Sequence, residues 1–288
     1  MNREKKIDTR KIGLNIGSIL NRYFLKSEDL HYGYWTDDLS LELFNLARAQ
    51  ERHSDFLMTN IPETAKTILD VGCGSGKLAE RLLNKGYRVD CVSPSLFFTE
   101  QAKKLLGDRA HIFECRYERL ETEDRYDLIL FSESFQYVKL EKAIQNSFRF
   151  LNEGGHLLIC DFFATEAKGK SSIGGGHKLV RFYHQIGRYP FKLVKDIDIT
   201  RYTAPNIDLV NGLLMNVGLP IWNLASSFLK NNHPFIARFI RWKYKKKIAK
   251  IRQKYLTGTW NAAHFTTYKT YRLLLYQKTG VNLRQDNV

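Results

Sequence analysis

The stretch ILDVGCGSGKLAERLLNKGYRVDCVSPS, residues 68–95, constrains the fold of this chain more than any other feature. An apolar run enters three glycines within five positions, Gly72, Gly74 and Gly76. A segment with helical spacing follows to Gly86, and then a second apolar run, YRVDCVS (87–93). Apolar runs of this length flanked by glycines are strands, and a helix between two strands makes a parallel pair with a right-handed crossover.

The alternation continues. SLFFTEQAKKLLG (95–107) has helical spacing and stops at Gly107, and HIFECRY (111–117) reads as a third strand. YDLILFSES (126–134), KLEKAIQNSFRFLNEGG (139–155) and HLLICDFF (156–163) add two strands around a helix. FKLVKDIDIT (191–200) reads as a strand returning to the sheet, with YKTYRLLLYQK (268–278) as its hairpin partner. The expected fold class is α/β: a Rossmann-like, doubly wound, mostly parallel sheet of seven strands, with an N-terminal helical lid and a helical insertion before the last strand. The expected divisions are a helical and aromatic lid segment at 1–60, a binding core at 61–165, and a C-terminal part of the same domain at 166–288. The insertion occupies 205–262.

In such a sheet ligands lie beyond the carboxyl ends of the strands, so Asp70-Val71-Gly72-Cys73-Gly74-Ser75-Gly76 is the place to look. Glycine lets backbone approach a ligand closely and adopt positive φ. A dinucleotide fingerprint would put its third glycine at 77, where this chain has Lys77.

With those residues, the later YDLILFSES strand and LNEGGHLLI, the sequence resembles the class I S-adenosylmethionine-dependent methyltransferases over about residues 60–165. The resemblance implies S-adenosyl-L-methionine as cofactor. Gly72, Cys73, Gly74 and Gly76 would form its backbone cradle, and Asp70 would orient its ammonium. The usual acidic residue ending strand two is replaced by Ser93, followed by Pro94, and the acid after strand three by Arg116. Tyr117 would then pack on adenine and Glu118 would accept from its amino group. Residues Ser132 to Gln136 would line the methyl-transfer site. No metal site is expected.

Upstream, YFLKSEDLHYGYW (23–35) resembles the segment that folds over the cofactor in methyltransferases of tocopherols, quinones, sterols and fatty acyl chains. It implies cofactor contacts for Tyr23 and Tyr32, with Trp35 as a further aromatic. Aromatic faces attract the cationic sulfonium. VSPS echoes the cyclopropane fatty acid synthases, but their Glu-His pair after strand four is here Phe135-Gln136-Tyr137. A hydroxyl acceptor needs a general base, for which His31 and Glu133 are the catalytic candidates, with His177 and His184 behind them.

Apolar residues make up 43% of the 288, and no uninterrupted apolar run reaches the roughly 18 residues that span a bilayer. Cys73, Cys91, Cys115 and Cys160 are far apart and read as reduced core thiols. The start has no long apolar segment before a small-residue cleavage site, so a cytoplasmic protein is expected, with peripheral attachment to the inner face of a membrane as an extension of that reading.

The net charge of +15 is unevenly placed: fourteen Lys and Arg and no acidic residue lie between Asp208 and Asp286, while the first 208 residues come to about +2. PFIARFIRWKYKKKIAKIRQKYL (234–256) sets Ile236, Ile240, Tyr244, Ile248, Ile251 and Tyr255 on one helical face with basic residues around the other. Three readings stay open for it: a cap packed on the core, adsorption on an anionic membrane surface, or docking of an acidic carrier protein or RNA. SSIGGGHK (171–178) reads as a mobile loop. The leading expectation is methyl transfer to a hydrophobic small molecule, with quinone, lipid or polyketide-like acceptors foremost. An RNA methyltransferase and a noncatalytic cofactor-binding partner are the alternatives; nucleic acid is the less favoured partner, since no N-P-P-Y-like motif or RNA-binding module is present.

Overall fold

The computed structural model describes residue 23 and residues 29–169, 171–255 and 260–280. The helical lid expected before residue 29 lies outside the described residues apart from Tyr23.

Seven strands form one sheet: β1 (Thr67–Val71), β2 (Arg88–Val92), β3 (Ile112–Phe113), β4 (Tyr126–Ser132), β5 (Leu151–Ala164), β6 (Phe191–Asp198) and β7 (Lys269–Lys278). Their order is β3-β2-β1-β4-β5-β7-β6, parallel except for β7, which runs antiparallel to both neighbours. Successive crossovers move outward on opposite sides of β1 and β4, so the switch point lies at the carboxyl ends of those two strands.

Helices α1 (Leu46–Met58), α2 (Lys77–Asn84), α3 (Leu96–Leu106), α4 (Leu140–Phe150) and α5 (Leu179–Ile186) cover the sheet. Each presents a buried stripe at helical spacing, such as Leu78, Ala79 and Leu82 on α2 and Leu140, Ala143, Ile144 and Ser147 on α4. The sheet's two faces carry separate apolar clusters, one around Ile68, Leu128 and Leu158, the other around Leu69, Ile129 and Phe131. That alternation is what a central strand covered on both sides requires.

Several boundaries differ from the sequence reading. The third strand shrinks to two residues, because only Ile112 and Phe113 pair with β2 at this edge. The helix expected to reach 155 ends at Phe150, and Leu151 already opens β5, with Gly154 at φ +74° in the irregular stretch where β4 and β5 shift register. The Gly174–Gly176 loop is held down rather than loose: a Cβ on Gly175 would lie 2.2 Å from the Gln136 side chain, one on Gly176 2.9 Å from the Phe162 carbonyl, and Lys269 Nζ donates to the Gly175 carbonyl.

The insertion departs furthest from expectation. After α6 (Thr200–Thr203) come α7 (Pro205–Leu213), a π-helical turn at Leu214–Gly218, α8 (Leu219–Asn232), α9 (Pro234–Tyr255) and α10 (Ala262–Tyr268). Thr200–Asn232 forms a helical run of 33 residues, long and apolar enough by length and composition to cross a membrane, with no share of its apolar window buried. Asn211, Asn216 and Asn223 break the run in the sequence, but the helix joins the pieces. Nor is α9 a cap on the core. It packs along α8, with Ala237, Ile240 and Ile248 half-buried, while Ile236 and Tyr244 of the expected inner face are exposed. The side chains of Ile251 and Tyr255 lie outside the described residues.

Candidate active site

Strand β1 ends in a turn built on three left-handed glycines, Gly72 (φ +83°), Gly74 (φ +55°) and Gly76 (φ +88°). At Gly72 close packing adds to the conformational demand, since a Cβ there would stand 2.4 Å from Ser134 Cβ. Cys73 is buried, with its thiol free and turned toward the Gly74 carbonyl. Gly76 leads into α2, whose first backbone amides are a ready-made anion site.

Asp70 lies under this turn, 2% exposed, and its Oδ2 has no hydrogen-bond partner among the described residues. Burial alone pushes its carboxyl up to about 7. A buried carboxylate oxygen without a donor, beneath a turn that only glycine backbone can make, fits a ligand bringing an ammonium group and close backbone contacts. S-adenosylmethionine meets both demands. Ser132 Oγ at the end of β4 is likewise buried and unpartnered. Ser93 is buried after β2 and accepts from the Ser95 amide at 3.4 Å, whereas Pro94 and Arg116 are exposed.

Residues 29–35 fold across the turn. Leu30 lies over Gly74, where a Cβ would be 3.3 Å from Leu30 Cδ1. Tyr32 N donates to Glu133 Oε1 at 2.6 Å, and its ring packs with those of Phe162, Phe265 and Tyr271 at 6.0–6.3 Å between centroids. Asn206 on α7 accepts from the Gly33 amide and Trp35 Nε1 and donates to the Gly33 carbonyl. Trp35 is therefore a buried anchor of this segment. Tyr23 is 71% exposed.

Glu133 is the one non-glycine at positive φ among the described residues (φ +53°), a strained position that the surrounding contacts must hold. Its Oε1 also accepts from the Tyr271 hydroxyl at 2.8 Å. Burial raises its pKa, against the lowering effects of the His31 charge and of the Tyr32 and Tyr271 donors. Behind Tyr271 lies His53, Nε2 to hydroxyl 3.2 Å, held neutral because burial and then the neighbouring His31 charge depress its pKa. With the Tyr271 hydroxyl donating to Glu133, its oxygen is left to accept from His53 Nε2, which also lies 3.6 Å from Cys160 Sγ. Asp161 is also buried and pushed up to about 8 by burial and then by Glu133, but its oxygens are occupied by Gln136 and the Phe162 amide.

The catalytic expectation for His31 does not survive the geometry. Nδ1 lies 2.9 Å from the Tyr32 carbonyl, and Nε2 is 3.0 Å from Ser54 Oγ and 3.5 Å from Asp29 Oδ1. Burial disfavours its charged form, yet the hydrogen bond and charge of Asp29, with Glu133, outweigh that and raise its pKa. Both nitrogens are engaged and the ring stacks on His53 at 4.6 Å, so His31 fastens the segment. His177 is spoken for by the Phe135 and Val138 carbonyls, and His184 is exposed on α5. Tyr117 is not an adenine platform. It is 2% exposed, edge-on to Phe131, with its hydroxyl 3.2 Å from Ser147 on α4, which makes it a core aromatic. Glu118 accepts from the Lys139 amide at 3.1 Å, so it ties the loop to the start of α4.

Tyr271 and His53 escape sequence reasoning because they come from the last strand and the first described helix, 218 positions apart. A hint was available in Tyr271 itself, a polar-tipped aromatic two residues before the leucine run at 273–275.

Comparison with known proteins agrees with this geometry. Residues 69–159 match the family model for a methyltransferase domain. An uncharacterised methyltransferase of Staphylococcus carnosus is 27% identical over 172 residues, 57% of this chain and 77% of that protein. A malonyl-[acyl-carrier protein] O-methyltransferase of Anoxybacillus flavithermus is 33% identical over 121 residues, 40% of this chain and 46% of that protein. This chain thus spans less than half the length of that second relative. Among solved structures, geranyl diphosphate C-methyltransferase from Streptomyces coelicolor A3(2) superposes with a TM-score of 0.65 at 15% identity, over 96% of this chain and 100% of that one; at that identity the likeness speaks for the fold. Residues 69–159 thus carry a methyltransferase domain, and its relatives and fold are those of class I S-adenosylmethionine-dependent methyltransferases, with S-adenosyl-L-methionine as the cofactor.

Proposed function

We infer that this protein methylates a hydrophobic small molecule of lipid, quinone or polyketide-like character at a hydroxyl, with Glu133 as the proton acceptor. The observation that carries this reading is the aromatic cluster at the carboxyl ends of β4 and β5 and the amino end of β7. There Glu133 accepts from the Tyr32 amide and the Tyr271 hydroxyl, and the rings of Phe162, Phe265 and Tyr271 pack around that of Tyr32. A cleft of about 670 Å³ adjoins the cluster through Lys269, which lines the cleft and sets Nζ 5.6 Å over the Phe162 ring. The malonyl-[acyl-carrier protein] relative is an O-methyltransferase, which supports oxygen as the acceptor atom.

When bound, the cofactor supplies a methyl group already activated by its sulfonium. The Gly72–Gly74 backbone and Asp70 would hold it, with Ser93 toward the ribose. The protein's remaining work is alignment and exclusion of water, and alignment alone accounts for about 7 kcal/mol in favourable cases. Residues 29–35 exclude water, and the aromatic rings position an apolar acceptor. Glu133, with its pKa raised, takes the hydroxyl proton, while Tyr271 and the neutral His53 stabilise its charged form by a chain of donors.

The test is incubation with methyl-labelled cofactor and separated lipid, small-molecule and RNA fractions of a cell extract. Label in an organic-soluble product, released as methanol by ether or ester cleavage, is the expected result. Label confined to RNA, or to carbon or nitrogen positions that resist that cleavage, refutes the reading.

A further inference from the structure

We propose that the helical hairpin α8–α9 is a docking surface for an anionic phospholipid bilayer. The hairpin turns at His233 and Pro234 and leaves its large apolar side chains in the open. Trp222 is 51% exposed, Leu224 73%, Phe228 62%, Phe235 84%, Phe239 54% and Trp242 75%. A soluble helix hides such residues on its inner face, and contiguous exposed apolar surface of this kind marks a binding site. Both arms contribute, so the apolar surface belongs to the hairpin as a unit.

Charge identifies the occupant. Arg238, Arg241, Lys243, Lys245, Lys246 and Lys247 follow and interleave with these aromatics on α9, and no acidic residue of the hairpin offsets them. Lys243 Nζ lies over the rings of Phe239 and Tyr244 at 5.5 and 5.6 Å, which keeps cation and aromatic at one level. Interleaved tryptophan and lysine suit the boundary between headgroups and acyl chains, where the rings are half-immersed and the ammonium groups meet phosphate. An acidic protein partner would be served by the cations alone and leave the aromatics unexplained. A second copy of this chain would place basic arm against basic arm.

The same charges decide depth. Six cations between positions 238 and 247 would each cost about 2.5–3.5 kcal/mol at a bilayer centre, so the return arm lies at the headgroup level and the hairpin does not cross. Thr200 and Arg201, at the root of the helical run that leads to the hairpin, also line the 670 Å³ cleft. A bilayer on the hairpin therefore sits at the far end of the element that walls the cleft. The proposal does not rest on the identity of the methyl acceptor.

The experiment is co-sedimentation of the full chain, without cofactor, with vesicles of phosphatidylcholine alone or mixed with phosphatidylglycerol, reading tryptophan emission in parallel. The expected result is binding to the mixed vesicles only, with a blue shift that disappears in W222F/W242F. K243Q/K245Q/K246Q/K247Q should weaken binding about five-fold per lysine, at about 1 kcal/mol for each basic residue near the surface. Both variants should keep wild-type melting temperature and cofactor affinity, since none of these residues touches the site. Equal binding to neutral vesicles, or none to either, overturns the proposal. So do a concentration-dependent dimer that shifts the emission without lipid, and capture by an acidic carrier protein or RNA in place of vesicles.

Discussion

Replacing Asp70 with asparagine should make the cofactor-free protein more stable at alkaline pH while depriving it of its cofactor. The carboxyl is moved by burial from 3.8 to about 7. A raised carboxyl pKa means that between those values the folded state holds a proton the unfolded chain has lost, so stability falls as pH rises through that window. At about 1.4 kcal/mol per pH unit the full penalty is about 4 kcal/mol above pH 7, and it is absent below pH 4. Asparagine carries no such charge, but its buried amide lacks a partner as Asp70 Oδ2 does, at about 1–3 kcal/mol. The net gain at pH 8 is then about 1–3 kcal/mol.

The pH dependence of that difference is the sharper quantity, because the amide's cost does not titrate. From pH 5 to pH 8 the stability of Asp70→Asn relative to wild type should rise by about 2.5 kcal/mol. Glu133 and Asp161 also have raised values. They are present in both proteins and cancel to first order. Urea unfolding of both proteins at the two pH values measures the difference, and calorimetric titration with S-adenosylmethionine measures the functional cost. A pH-independent difference, or an unchanged cofactor affinity in the variant, would refute the placement of an uncompensated carboxylate beneath the glycine turn.

Other perturbations probe different parts of the site. Gly72→Ala meets both positive φ and the Ser134 side chain at 2.4 Å, so thermal melts should show a loss of about 2–4 kcal/mol together with loss of cofactor binding. Glu133→Gln should lower kcat about a hundredfold or more with cofactor affinity retained, and should abolish an acid limb of the kcat–pH profile lying above the ordinary carboxylate range; a surviving limb would assign it to another group. Tyr271→Phe removes one donor from Glu133 and should move that limb to higher pH, a shift that a purely structural hydroxyl would not produce. Asn206→Ala strips four hydrogen bonds that join Gly33, Trp35 and Thr203, and should cost about 2–4 kcal/mol in urea unfolding.

The parts of the structure written in local pattern were legible in the sequence. The β1 turn, the strands that follow it and the antiparallel return of β6 and β7 each rest on periodicity or on glycine placement, and these act over a few residues. Tyr117 was misplaced because motif position says which loop a residue occupies, but not that the loop folds its ring inward against Phe131 and α4. The Glu133–Tyr271–His53 chain was only partly visible, since it joins three segments whose meeting depends on strand order. The hairpin stays open among three readings in the sequence for a different reason. An amphipathic pattern declares an apolar face but does not say whether protein or something outside it covers that face, and here α8 hides only part of α9.

The contacts of residues 29–35 give the site and the insertion a common joint. Tyr32 reaches Glu133 through its amide, and the next residue, Gly33, is held through both amide and carbonyl by Asn206 near the start of α7. Trp35 N donates to the Tyr202 carbonyl at 2.8 Å, and the Tyr34 ring stacks on Tyr202 at 4.5 Å. The backbone that crosses the glycine turn is thus clamped on one side to the methyl-transfer site and on the other to the root of the exposed helices. Such a segment has little freedom to shift at one end alone, because buried hydrogen bonds lost there leave unsatisfied groups at about 1–3 kcal/mol each. Its position over the turn depends on the insertion root as much as on the glycines, and for that reason the insertion belongs to the same working unit as the parallel sheet.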